Sequence, residues 1–511
     1  MLLKMFSQYK KHVAVLFFFT ALFLYSRFLL RATGDGHPEV VNVLLLTGLC
    51  SLLFTAKRTF LITIPFLLIL TLYAPVGLTY GYPTYQYVAS LFATTVGESL
   101  EFLRLIPLKA YLYTVILLVA PFILHRMALR FNIKPCNNKL FVLSFAVLSF
   151  CSSGAFLFFN ETKASVAKVE KENSELEKFV NKNDWVDVKQ TGKTQYDDYY
   201  LVIGESARRD YFHAYGYPVK NTPFLDSTKG VIVNGLESAG TYTIGSLRLM
   251  LTLADTNAWT PNYNLNVVGL ATKAGFSTYW VSNQGQFGEW DTPISAIAKK
   301  SDKSYFTKFQ EYNERNISDF AMLRILKPMI NQSTTKRRFF VIHTMGSHPH
   351  ACDRIKEMKD PITVTNKTDS YIACYISSIK QTDKFLENLH DVISQNSHGR
   401  SFSMIYFADH GMAHRDVDGV IQLNNNYISK YHHDIPLVKI SSDDRERKVI
   451  SSQKSGLLFV NGLADWMGIS AEKIQPYNLF DGISDTNDFG LSQQPYKVDD
   501  PAIDISSVIA Q

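Results

Sequence analysis

Residues 198–209 read DYYLVIGESARR, and the reading of this stretch decides the fold. Tyr199–Ile203 is short, apolar, aromatic and β-branched, the composition of a strand buried on both faces. Gly204 ends the run, and a carboxylate, Glu205, follows at once. Open α/β sheets bind ligands in the crevice beyond the carboxyl ends of their strands. Two further stretches repeat the plan. In SMIYFADHGMAH (403–414), Met404–Phe407 is followed by Asp409 and His410; in FFVIHTMGSHPH (339–350), Phe339–Ile342 is followed by His343 and His348. Three strands that deliver acids and histidines to one edge predict a metal site. Gly411 lets adjacent ligands sit on a tight turn.

Working outward, strand runs alternate with helical stretches from 198 to 495. STYWVSN (277–283) is one such strand, and CYISSIKQTDKFLENLHDVISQ (374–395) is a long helix between two others. This alternation predicts a mainly parallel sheet flanked by helices. Residues 160–197 are charged and helical in pattern, so they read as a linker helix; residues 496–511 form a tail without clear signal. Residues 1–159 differ in kind. Five apolar runs, roughly 12–30, 39–55, 60–77, 109–125 and 139–159, each approach the ~20 residues that span a bilayer. A cleaved signal peptide does not explain the first, because it is long, four more follow and no small-residue cleavage site stands after it. Lys4, Lys10, Lys11, Lys57, Arg58, Arg126, Arg130, Lys134 and Lys139 mark the cytoplasmic side. An odd number of spans then carries the C-terminal domain outside. The loop 78–108 is too amphipathic to span. Helices lying in the membrane interface are expected there, with Tyr82, Tyr85 and Tyr87 at headgroup depth, or else a loop packed on the spans. The net charge of +6 over 511 residues is modest and does not call for nucleic acid.

Glu205, Asp409 and His410 suit the first shell of a hard or borderline cation that keeps a position open for substrate. A nucleophile is expected in SAGTYTIGSLRLML (238–251), where a polar turn leads into an apolar helix whose N-terminus attracts phosphate. Thr241 and Thr243 both qualify on spacing, and N-capping is the plainer role for either. Cys352 stands just after the histidine loop and Cys374 at the start of a helix. With the domain outside the cytoplasm a disulfide between them is expected.

The chain resembles the bacterial phosphoethanolamine transferases of the alkaline phosphatase/sulfatase superfamily. The resemblance covers nearly the whole chain: five N-terminal spans, the amphipathic loop, then GESARRDYFHAYGYPVKNTPFLD (204–226), YTIGSL (242–247), SNQGQFGEWDT (282–292), HTMGSHPHACDR (343–354) and FADHG (407–411). It implies a five-helix transmembrane domain in the bacterial inner membrane, bearing a periplasmic α/β domain of alkaline phosphatase/sulfatase type. It also implies one or two Zn2+ ions, with Glu205, Thr243, Asp409 and His410 as ligands and Thr243 as nucleophile. His348 matches a histidine that contacts substrate or a second zinc. A further active-site histidine after the DHG motif is spaced ambiguously here among His414, His432 and His433, and His433 is chosen. Where many relatives have an acid soon after DHG, this chain reads DHGMAH (409–414). The implied reaction is ping-pong: phosphatidylethanolamine gives phosphoethanolamine to Thr243, and a glycan acceptor, lipopolysaccharide or osmoregulated periplasmic glucan, takes it. Glu98 or Glu101 would lie near the lipid headgroup, and a monomer is expected. The rival enzyme is a phosphoglycerol transferase of lipoteichoic-acid-synthase type. A sulfatase would need a Cys/Ser-x-Pro-x-Arg signature, which the chain lacks. The non-enzyme rival is a membrane-anchored sensor with an inactive domain, against which the intact set Glu205, Thr243, Asp409 and His410 argues.

Overall fold

The computed structural model describes residues 2–85, 87–88, 100, 102–133, 143, 145, 147, 149, 154–179, 182–192, 195–286, 292–309, 317–425, 429–494, 496 and 499–510. The chain divides into two compact units, residues 1–92 with 102–171, and residues 93–101 with 172–511.

In the first unit, α1 (Leu2–Ala32), α2 (Val40–Phe54), α3 (Lys57–Tyr80) and α4 (Leu108–Arg130) share an apolar core that includes Phe18, Leu22, Leu46, Phe54, Phe60 and Leu124. Their outward faces carry exposed Leu16, Ile62, Leu72 and Ile116, as a lipid-facing surface requires. Lys11–Ala32, Lys57–Tyr80 and Leu108–Arg130 are long and apolar enough to cross a membrane. The expected second span falls short: α2 has 15 residues, about 22 Å of helix against a hydrocarbon core of about 30 Å. Most of the fifth run lies outside the described residues, and its end opens α5 (Gly154–Phe179), so apolar run and linker share one helix. Glu98 and Glu101 lie outside the described residues. In loop 78–108, Tyr80 stacks on Phe102 with centroids 4.6 Å apart and meets Tyr87 at 5.6 Å, so here the segment packs on α3.

The second unit holds β1 (Lys189–Gln190), β2 (Asp198–Gly204), β3 (Gly230–Glu237), β4 (Ser277–Gln286), β5 (Lys303–Phe309), β6 (Arg338–His343), β7 (Phe402–Ala408), β8 (Ala413–Val417), β9 (Val420–Asn424), β10 (Asp434–Ser441), β11 (Arg447–Ser455) and β12 (Ile469–Ser470). Helices α6 (Thr243–Met250), α7 (Val267–Lys273), α8 (Ala321–Ile330), α9 (Ser370–Asn396) and α10 (Phe459–Met467) flank an eight-stranded sheet of order β11-β3-β10-β7-β2-β6-β4-β5. The sheet is mixed. β10 runs antiparallel to β3 and β7, while the other pairings are parallel. Every residue of β2, β6 and β7 is buried, which is why these strands read as continuous apolar runs.

Register positions the site. Ile203 pairs with both His343 and Phe407, and Gly204 with Ala408, so β2, β6 and β7 end level. Reversal of β10 brings its first residue, Asp434, and the preceding His432–His433 to the same edge. At the opposite edge, buried Asp198 accepts from Arg338 Nε at 2.7 Å and Arg400 Nη2 at 2.9 Å, fixing the start of β2. The tail is part of the fold: Ile505 is fully buried, and Asp500 accepts from the His414 amide and pairs with Arg208.

Candidate metal centre and active site

Glu205 leaves β2, Asp409 and His410 leave β7, and Thr243 opens α6 after an extended Tyr242. The first three are almost fully buried, whereas Thr243 is half-buried and so stands at the mouth. Its Oγ1 lies 3.3 and 3.2 Å from the two oxygens of Glu205 and 3.4 Å from His410 Nε2. Of the two candidate threonines, Thr243 is the one against these groups.

Donor atoms of Glu205, Asp409 and His410 lie within 4.8 Å of one another. His410 Nδ1 stands 2.6 Å from the Gly411 carbonyl. A carbonyl only accepts, so Nδ1 carries the proton and Nε2 presents a lone pair. That lone pair faces Asp409 Oδ2 at 3.3 Å and Glu205 Oε1 at 3.7 Å. Asp409 Oδ2 is buried without a hydrogen bond. Burial, with negative Asp409 beside it, pushes the Glu205 carboxyl well above its ordinary range. Burial also raises Asp409 to about 6. Two carboxylates and an imidazole lone pair converging out of water need a compensating positive charge. A divalent cation of the zinc type fits this donor set.

Five more histidines lie at or near this edge. His348 is half-buried, and its Nδ1 accepts from Arg354 Nη2 at 3.4 Å. Burial, then Arg354 and Lys308, hold it well below the usual imidazole range. Buried His433 donates from Nδ1 to the Ser238 carbonyl at 2.8 Å, and its ring meets Tyr496 edge-on at 6.3 Å. His432 is buried beside it, and its carbonyl accepts the Gly411 amide at 2.7 Å. His414 is turned elsewhere, bonded to Asp500 and Tyr211 in the network around buried Arg208. Of the three histidines after DHG, His432 and His433 thus stand with His410, and His414 does not. The β8–β9 hairpin separates them from DHG in sequence, which is what spacing alone leaves ambiguous. His343 is a core residue, edge-on to Trp280 at 6.4 Å.

Cys352 and Cys374 form a disulfide that ties the His348 loop to α9. On the same face of α9, Tyr371 accepts the His350 amide at 3.0 Å, Ser378 donates to Ser347 at 2.8 Å, and Tyr375 donates to the Ser206 carbonyl at 2.8 Å. Gly411 is required by close approach: a Cβ there would fall 2.1 Å from the Tyr431 carbonyl oxygen. Two site residues escape the sequence reading. Ser206 donates to Glu205 Oε1 at 2.7 Å, and Gln284 Nε2 stands 3.4 Å from Glu205 Oε2. Both lie inside quoted motifs, but neither residue type signals a ligand, and only the fold supplies their partner.

Fold and site together define an α/β domain with a buried acid–imidazole centre and a hydroxyl at its mouth, in a chain with membrane-spanning helices. Residues 197–469 match the sulfatase family. A Haemophilus influenzae protein provisionally named as a phosphoethanolamine transferase is 41% identical over 406 residues, covering 76% of this chain and 82% of that one. The phosphoethanolamine transferase OpgE of Escherichia coli is 33% identical over 433 residues, 80% of each chain. The integral membrane protein lipooligosaccharide phosphoethanolamine transferase A of Neisseria meningitidis shares the fold. Its TM-score is 0.59 at 19% identity, over 89% of this chain and 96% of that one. The chain belongs to the sulfatase family and, within it, to the phosphoethanolamine transferases, enzymes of the transferase class.

Proposed function

We propose that this enzyme moves phosphoethanolamine from phosphatidylethanolamine, through a covalent intermediate on Thr243, to a hydroxyl or phosphate of a cell-envelope glycan. The observation that carries the reading is the Thr243 hydroxyl, held 3.2 Å from Glu205 and 3.4 Å from His410 beside an unpartnered Asp409 oxygen. Glu205, Asp409, His410 and Thr243 would hold Zn2+, one ion or two, which when bound would polarise the phosphoryl group and favour the deprotonated hydroxyl.

Thr243 Oγ1 forms a bond to phosphorus as the phosphorus–oxygen bond to diacylglycerol breaks. Overall, the proton given up by Thr243 ends on the diacylglycerol hydroxyl. In the second half-reaction an acceptor oxygen attacks the same phosphorus, and Thr243 regains a proton. Because Arg354 donates to His348 Nδ1, the neutral imidazole keeps its proton on Nε2, and that N–H can stabilise phosphoryl oxygens. His433 and Glu98 are assigned to substrate contact, the latter near the lipid headgroup. The chain is assigned to the inner membrane as a monomer with residues 198–495 in the periplasm; a membrane anchor suits a donor that is a lipid and need not leave the bilayer.

Diacylglycerol release without acceptor tests the donor. One equivalent per enzyme from phosphatidylethanolamine, absent in Thr243→Ala, is expected. Release from phosphatidylglycerol instead would move the protein to the phosphoglycerol transferases.

A further inference from the structure

Ser206 stands directly after Glu205 at φ 53°, in the left-handed region that serine rarely occupies. It is buried, and each of its polar groups is engaged. The amide donates to Asp409 Oδ1 at 2.8 Å, and the hydroxyl donates to Glu205 Oε1 at 2.7 Å. The carbonyl accepts from Tyr375 at 2.8 Å, and Tyr375 in turn accepts the Arg208 amide at 2.9 Å. One residue thus holds an oxygen of each carboxylate, although the two carboxylates come from different strands.

Asp409 Oδ1 receives a second amide, that of His410, at 2.7 Å. Two donors occupy this oxygen, and the other, Oδ2, is left without a hydrogen bond, 3.3 Å from the His410 lone pair. On Glu205 the serine hydroxyl makes the shortest contact, while Thr243 reaches both oxygens at longer range. The backbone supplies a reason for the strained angle: it lets the amide of residue 206 serve β7 while the side chain of the same residue serves β2. Binding sites concentrate such strain where the surrounding structure over-determines it. Here Tyr375, Asp409 and Glu205 do so.

We infer that Ser206 is a positioning residue: it aims the two carboxylates so that Glu205, Asp409 Oδ2 and His410 Nε2 converge on one cation. This rests on the metal-site reading proposed above. Ser206 is assigned no contact with the reacting atoms. Outer-shell donors of this kind orient metal ligands, and their loss typically weakens metal binding about 10- to 100-fold.

The test uses the full-length chain in detergent, stripped of metal by chelation and titrated with Zn2+ against a chromophoric competitor. Ser206→Gly and Ser206→Ala are compared with wild type, and the melting temperature of each metal-free protein is recorded. Both variants keep the backbone amide and lose the hydroxyl. Glycine also relieves the positive φ, so metal-free Ser206→Gly is expected to melt no lower than wild type. Zn2+ affinity is expected to fall about 10- to 100-fold in both. That combination, weaker metal binding without weaker folding, is not what a merely structural serine gives. Wild-type affinity in both variants overturns the inference. A loss confined to Ser206→Ala assigns the effect to backbone strain and overturns it as well. A drop in melting of metal-free Ser206→Gly that parallels its loss of Zn2+ reduces Ser206 to a structural residue. Absence of Zn2+ binding by the wild type is a different failure: it overturns the metal-site reading, and the inference with it.

Discussion

Thr243 is half-buried while Glu205, Asp409 and His410 are sealed from water, so of these four Thr243 is the one placed to meet a bulky phosphodiester. Thr243→Ala is expected to lower transfer by about 1000-fold or more. Thr243→Ser, which keeps the hydroxyl, should retain part of the rate; steady-state transfer assays decide. Asp383 tests the electrostatics of the fold away from the site. It accepts the amides of Phe224 and Leu225 at 2.8 and 3.0 Å, and burial raises its carboxyl from 3.8 to about 7. A raised carboxyl pKa means that the folded chain holds this proton more tightly than the unfolded one. Its contribution to stability is therefore complete below about 3.8 and lost as pH rises through about 7. The loss amounts to up to about 4 kcal/mol. Melting of Asp383→Asn should depend less on pH across that window than melting of wild type; an equal slope would contradict the assignment. Glu205, Asp409 and His410 were legible in sequence because each follows a strand run. Ser206 and Gln284 were not, because a hydroxyl and an amide acquire meaning only from the carboxylate placed beside them.

At the scale of elements, α9 organises the site. Tyr371, Cys374, Tyr375 and Ser378 fall at i, i+3, i+4 and i+7, one helical face, and they grip the Glu205 loop and the His348 loop together. Replacing Cys352 and Cys374 by serine opens a loop with a sequence separation of 22. A loss of about 3 kcal/mol is expected, seen as a lower melting temperature of the catalytic unit. No change would mean that packing on α9 holds the loop unaided. The βα alternation was legible from residue periodicity, and so was the common edge of β2, β6 and β7. The direction of β10 was not, since an apolar run reads alike in either direction. Yet that reversal is what returns His432 and His433 to the site.

For the whole molecule, hydropathy separates an apolar N-terminal part from the α/β domain, and the two compact units are residues 1–92 with 102–171 and residues 93–101 with 172–511. Hydropathy overstated α2, whose 15 residues are apolar but short, because a composition window does not see where the helix ends. On the proposed reading the donor is a lipid, and tethering the transferase domain to the membrane would raise the effective concentration of that donor. A chain starting at 172 should therefore keep Zn2+ binding but lose about 100-fold or more in transfer from phosphatidylethanolamine vesicles. Equal rates with and without the first unit would deny that unit a role in donor supply. The most direct measurement is made on the intact chain: purified protein is incubated with phosphatidylethanolamine and no acceptor, then followed by intact and peptide mass spectrometry. Phosphoethanolamine on the peptide that carries Thr243, absent in Thr243→Ala, is the predicted result. Zinc-loaded protein that turns over lipid but carries no adduct at Thr243 would contradict the covalent mechanism.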